Sequence, residues 1–108
     1  MYRISTYIPE THLEAVKEAM FAAGAGRIGQ YDSCAWQVLG TGQFRPLEGS
    51  SPFIGEEMVI ETVPEYKVEL VCDKQIIREV IETLILTHPY EEPAYEIYEF
   101  KTLEDLGE

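Results

Sequence analysis

The chain has 108 residues, 45% of them apolar, a length that bounds it to one compact domain and a composition that supplies a real hydrophobic core. Twenty acidic residues against eight basic ones leave a formal charge of −12, a field that repels phosphate backbones and anionic lipid and so excludes nucleic acid and membrane surfaces as partners. No apolar run approaches the roughly 20 residues of a membrane helix, no leader precedes the first strand-like segment, and the two cysteines, Cys34 and Cys72, read as reduced thiols in strands, so the expectation is a cytoplasmic protein.

The charge is uneven: residues 1–52 hold five acids and four bases, residues 53–108 fifteen acids and four bases. Tyr2 to Ile8 alternates, with Tyr2, Ile4 and Ile8 on one side, the period of a half-buried strand that Pro9 closes. Thr11-His12-Leu13-Glu14 matches a capping box and predicts a helix carrying Leu13, Val16, Met20 and Phe21 on one face, stopped at Gly24 or Gly26. Ser33 to Phe44 favours extended structure, with Cys34, Trp36 and Val38 on one side, and Gly40-Thr41-Gly42 predicts a bulge or sharp bend in it.

Arg45 to Gly55 is dense in turn formers around Phe53-Ile54, a loop with a hydrophobic anchor. Met58 to Val63 predicts a short strand broken by Pro64, and Tyr66, Val68, Leu70 and Cys72 alternate through the next one. Asp73 is the expected N-cap of a second helix over Lys74 to Thr87, which His88-Pro89 ends because a residue before proline leaves helical geometry. Pro93 to Phe100 predicts the last strand, and Thr102 to Asp105 at most one helical turn. The order strand, helix, strand, strand, helix, strand predicts an α+β, ferredoxin-like βαββαβ sandwich, an antiparallel sheet with two helices on one face and a long loop between strands 2 and 3.

Three runs could carry chemistry. Gly24-Ala25-Gly26-Arg27-Ile28-Gly29 satisfies G-x-G-x-x-G, but it follows a helix instead of opening one, so turn glycines are the better reading. Gly40 to Gly49 joins backbone donors to Arg45 and could hold a small anion or a nucleotide, with Gly40, Gly42, Arg45 and Glu48 as ligand or interface residues; pairing of Arg45 with Glu48 or with a neighbouring subunit is the plainer alternative. In His88-Pro89-Tyr90-Glu91-Glu92-Pro93 an imidazole and two carboxylates could take a divalent metal or move protons. A rigid helix-to-strand connection is the preferred reading of that run, since the adjacent glutamates point to opposite sides of an extended chain. No catalytic residue is identified and no other cofactor is called for; His88, Glu91 and Glu92 are the metal candidates.

Read together, Gly24-Ala25-Gly26-x-Ile28-Gly29-x-Tyr31-x-Ser33-Cys34, the run Gly40-x-Gly42-x-Phe44-Arg45-Pro46-Leu47-Glu48-Gly49-x-x-Pro52-Phe53-Ile54-Gly55, and His88-Pro89-Tyr90-Glu91-Glu92-Pro93-Ala94-Tyr95 resemble the YqfO-like domain over the whole of residues 1–108. That domain is found inserted in Nif-three-family proteins, the GTP cyclohydrolase I type two homologues, and also standing alone. The resemblance implies a CutA/PII-like fold and self-association as a trimer or dimer. It implies no cyclohydrolase activity, because the metal-bearing part of the larger proteins is missing from this stretch. One departure is local: after Gly55-Glu56, where relatives carry a glycine and a lysine, this chain has Glu57-Met58-Val59-Ile60. The expected function is a small oligomeric binding or interaction module, not an enzyme, meeting itself and a protein partner. A metal-dependent protein built on His88 with Glu91 or Glu92 and an anion or nucleotide sensor built on Gly40 to Gly49 are the alternatives.

Overall fold

A computed structural model describes residues 1–107. Strand β1 (Tyr2–Pro9) runs through a 3-10 turn, Glu10–His12, into helix α1 (Leu13–Ala22); β2 (Trp36–Phe44) and β3 (Glu61–Cys72) follow, then α2 (Ile77–Thr87), β4 (Tyr95–Glu99) and a terminal 3-10 turn, Leu103–Leu106. The four strands form one antiparallel sheet in the order β2-β3-β1-β4. The register pairs Ile4 with Leu70 and Ile97, and Thr6 with Val68 and Tyr95. Side chains alternate between faces, so Ile4, Thr6, Ile8, Val68, Leu70 and Cys72 share one side. They are buried there with Leu13, Val16 and Met20 of α1 and Val80, Ile81 and Leu84 of α2. Each large apolar side chain removed from water contributes about 1.5–3 kcal/mol, so both helices are held to this face and the predicted sandwich is the structure of the chain.

Among the described residues no helix covers the other face of the sheet. It presents Arg3, Ser5, Lys67 and Glu69 in its middle, where Ser5 donates to Glu69 over 3.0 Å and Lys67 pairs with Glu69 at 3.4 Å. Trp36 and Val38 of β2 and Tyr98 of β4 flank that network and are about half exposed.

Several local expectations are corrected. Gly40-Thr41-Gly42 makes no bulge: β2 pairs residue for residue from Trp36↔Glu69 to Phe44↔Glu61. Pro64 breaks nothing, because β1 reaches only as far as Glu65; beyond it β3 has a single neighbour, and a strand edge tolerates a missing amide. Met58 to Ile60 stay outside the strand, which is one long element and not two. Cys34 lies before β2 and not in it. Neither helix uses its expected cap: His12 and Ile76 occupy the N-cap positions without a side-chain bond, and Thr11 turns its hydroxyl to the His12 ring, 2.9 Å away. A capping box does form at Thr102 and Asp105. Lys74 to Ile76 form a turn, so α2 starts at Ile77.

Gly26 shows why the first glycine run is structural. Its φ is +76°, and a Cβ there would meet the Cys34 carbonyl at 2.8 Å. The residue stitches the α1–β2 connection to the sheet, donating to Val71 O and accepting from the Cys34 amide, each at 2.8 Å.

Candidate functional site

β4 runs beside β1 only as far as Thr6, which pairs with Tyr95. The next stretch of β1 would have an unpaired edge, and an unpaired buried carbonyl costs about 1–3 kcal/mol. The segment between α2 and β4 covers it. Pro89 forces His88 into extended geometry at ψ 137°, which ends α2 and sends the imidazole inward, to 5% exposure. Nδ1 accepts the Tyr90 amide at 3.1 Å, so the ring proton is on Nε2, which donates to Tyr7 O at 2.8 Å. Burial, aided by the nearby His12 charge, pushes the imidazolium down from its ordinary titration range; the bond to Tyr7 and the Glu65 charge partly oppose that. His88 is therefore a neutral ring that stands in for a missing strand.

The same turn carries Tyr90 over the end of the sheet. Its hydroxyl donates to Glu65 Oε2 at 2.7 Å, and its ring lies 5.9 Å from Phe44 and 4.8 Å from His88. Burial and then the Glu65 carboxylate raise the phenol well above its ordinary value, so Tyr90 is a permanent donor. Gly42 makes the arrangement possible: a Cβ there would run into the Glu65 carboxylate. One residue further, Glu91 Oε1 accepts the Ser51 amide at 3.0 Å and ties the turn to the long loop between β2 and β3. That loop is closed on itself by Ser50 N–H to Leu47 O and Met58 N–H to Pro46 O. It is anchored by Phe53, whose ring meets His12 edge-on at 5.2 Å.

Between the two segments lies a cleft of about 440 Å³, lined by Tyr7, Phe44, Glu65, Phe53, Ile54 and Tyr90 among others, with Arg45, Glu91 and Glu92 among its polar groups. The second and third runs singled out in the sequence thus meet at one place. Arg45 lines the cleft; Gly42 underlies it beside Glu65; Gly40 and Glu48 stand outside its lining. Gly40 and Gly42 belong to a regular strand and form no anion-holding loop. His88 is not grouped with Glu91 and Glu92: both of its nitrogens are engaged, and among the described residues no three His, Cys, Asp or Glu side chains are placed to hold a metal ion. Sequence reasoning passed over Tyr7, Glu65 and Tyr90 as site residues. The run containing Tyr90 was the available signal; Glu65 and Tyr7 lie 25 and 83 positions away from it in the chain.

Two other groups with nucleophilic side chains lie outside the cleft. Cys72 is buried in β3, and burial, with Asp73 beside it, pushes its thiol up to about 11. Thr11 and His12 form an exposed hydroxyl–imidazole contact between neighbours in the chain, and among the described residues no carboxylate is hydrogen-bonded to that ring. No helix among the described residues is long and apolar enough to cross a membrane.

No family model matches the chain. The GTP cyclohydrolase 1 type 2 homolog of Halalkalibacterium halodurans is 43% identical over 98 residues, which is 91% of this chain and 26% of that protein. A Bacillus cereus protein related to NIF3, of known crystal structure, superposes with a TM-score of 0.79 at 36% identity over 94% of this chain and 26% of its own. The periplasmic divalent cation tolerance protein CutA of Archaeoglobus fulgidus superposes with a TM-score of 0.67 over 97% of this chain and 90% of its own. At 16% identity that likeness is one of fold. The chain spans about a quarter of the length of the curated relatives it matches. It is a homologue of that quarter-length segment of the GTP cyclohydrolase 1 type 2 homologs, and it has the ferredoxin-like fold of CutA.

Proposed function

We propose that residues 1–108 act as one YqfO-like, homo-oligomeric binding module of the cytoplasm, taking a ligand or a partner segment in the cleft between Phe44 and Tyr90 and carrying no catalytic centre of its own. The convergence of two distant motif runs on one cleft, cross-linked by the Tyr90–Glu65 and Ser51–Glu91 bonds, carries this reading. Small-molecule sites usually have a cavity of this size, mostly apolar walls and a few fixed polar groups. Self-association is supported by the exposed aromatic side chains of the face opposite the helices, Trp36 at 57% and Tyr98 at 53% exposure, since aromatic residues are enriched as anchors at interfaces. The cyclohydrolase name of the longer relatives is not extended to this chain.

Light scattering of the purified chain tests the assembly: a dimer or trimer is expected, shifted toward monomer by Trp36→Asp. A monodisperse monomer under dilute physiological conditions overturns it.

A further inference from the structure

The cleft has a chemical bias that identifies the class of its ligand. Among its lining residues Arg45 is the one cation against the three carboxylates of Glu65, Glu91 and Glu92, within a chain of net charge −12. Glu91 is held by the Ser51 amide, and Glu65 is the one held by a side chain. Tyr90 pins its Oε2, the absent side chain at Gly42 leaves room for Oε1, and that second oxygen has no hydrogen-bond partner among the described residues. Aromatic rings line the same cleft: Phe44 and Tyr90, packed on each other with centroids 5.9 Å apart, and Phe53. Three of the loop's backbone donors are engaged within the protein: Ser50 on Leu47 O, Ser51 on Glu91 and Met58 on Pro46 O.

A carboxylate with one free oxygen, in a cleft lined by aromatic rings within a negative field, is complementary to a positive charge on an apolar body. Ring faces attract cations through their quadrupole, and a charge-assisted hydrogen bond adds to that attraction. We infer that the cleft binds an organic cation, an ammonium or guanidinium head on an aromatic or aliphatic body, with the head on Glu65 and the body against the lining side chains of Phe44, Phe53 and Tyr90. The inference rests on the reading of the cleft as a ligand site and specifies that site's ligand class.

Three matched probes test it on the full chain: phenethylammonium, 2-phenylethanol and 3-phenylpropionate, each titrated with amide chemical shifts as the readout. Saturable binding of phenethylammonium is expected, with shifts at Phe44, Glu65 and Tyr90 and an affinity about tenfold or more above both other probes, the scale of one charge-assisted contact. Glu65→Gln, which keeps an acceptor for Tyr90, should remove most of that preference. Tyr90→Phe, which frees the carboxylate, should weaken binding less. Equal or tighter binding of 3-phenylpropionate at the same residues, or phenethylammonium binding untouched by Glu65→Gln, overturns the cation assignment while leaving a binding cleft. No cleft shifts with any of the three probes overturns both the assignment and the binding-site reading beneath it.

Discussion

His88 Nε2 donates to the carbonyl of Tyr7 over 2.8 Å, a side chain completing a strand edge 81 positions away in sequence. Removing that ring orphans the Tyr7 carbonyl and the Tyr90 amide and leaves a cavity at a site only 5% exposed. His88→Ala should therefore cost about 3 kcal/mol in urea unfolding, combining a lost buried acceptor and donor with the cavity. His88→Gln should recover part of this, since its amide can still donate to Tyr7. A cost below about 1 kcal/mol for His88→Ala, the size of an ordinary surface substitution, would refute the role.

The pH dependence of stability has a definite sign. Burial lowers the His88 titration in the folded chain below its ordinary value of 6.5. Above that value both folded and unfolded rings are neutral, and nothing is gained or lost. As pH falls through 6.5 the unfolded chain takes up the proton first, so folding stability drops until the lower folded value is passed, by at most about 1.4 kcal/mol per pH unit. Denaturant midpoints between about pH 7 and pH 5 should show that decline in the natural chain and a smaller one in His88→Gln. Identical profiles would remove His88 as the cause.

Three glycines of the motif runs should respond differently to alanine. Gly40→Ala should be neutral or mildly stabilising, because nothing lies within 4 Å of a Cβ there and Gly costs a strand about 0.5–1 kcal/mol. Gly26→Ala should cost about 2 kcal/mol or more, since its positive φ and the Cys34 carbonyl both oppose a side chain. Gly42→Ala should cost little in stability, because the obstacle is the end of the Glu65 side chain, but it should displace that carboxylate from Tyr90. The phenol of Tyr90 would then titrate lower than in the natural chain, measurable by near-ultraviolet absorbance. An unchanged Tyr90 titration in Gly42→Ala would contradict this coupling.

Met58 stands at φ +65°, the left-handed region that disfavours side chains other than glycine, and it is 58% exposed. The YqfO-like resemblance places a glycine in this stretch. Met58→Gly should gain up to about 1 kcal/mol, the usual cost of a left-handed side chain, because little packing is lost with the methionine. A clear loss of stability in thermal or urea unfolding would show that Met58 packs more than its exposure indicates.

What could be read from the sequence follows the range of each interaction. The alternation in Tyr2 to Ile8 and Tyr66 to Cys72, and the helical spacing of Val80, Ile81 and Leu84, reflect which face of a local element is buried, and the sandwich followed from their order. The end of α2 at His88-Pro89 was legible for the same reason: the clash of a proline ring is a neighbour effect. Pro64 and Gly40-Thr41-Gly42 were misread because their meaning depends on which strand lies alongside. Only the pairing shows that β1 stops at Glu65, and that Gly42 is empty to admit a carboxylate from β3. The cleft belongs to the same class. Tyr7, Glu65 and Tyr90 come from a strand, its neighbour and a turn, each unremarkable locally, and they become a site where β4 ends short of β1 and the His88 turn fills the gap. Local patterning set the elements, and the unequal lengths of the paired strands decided where the functional surface would lie.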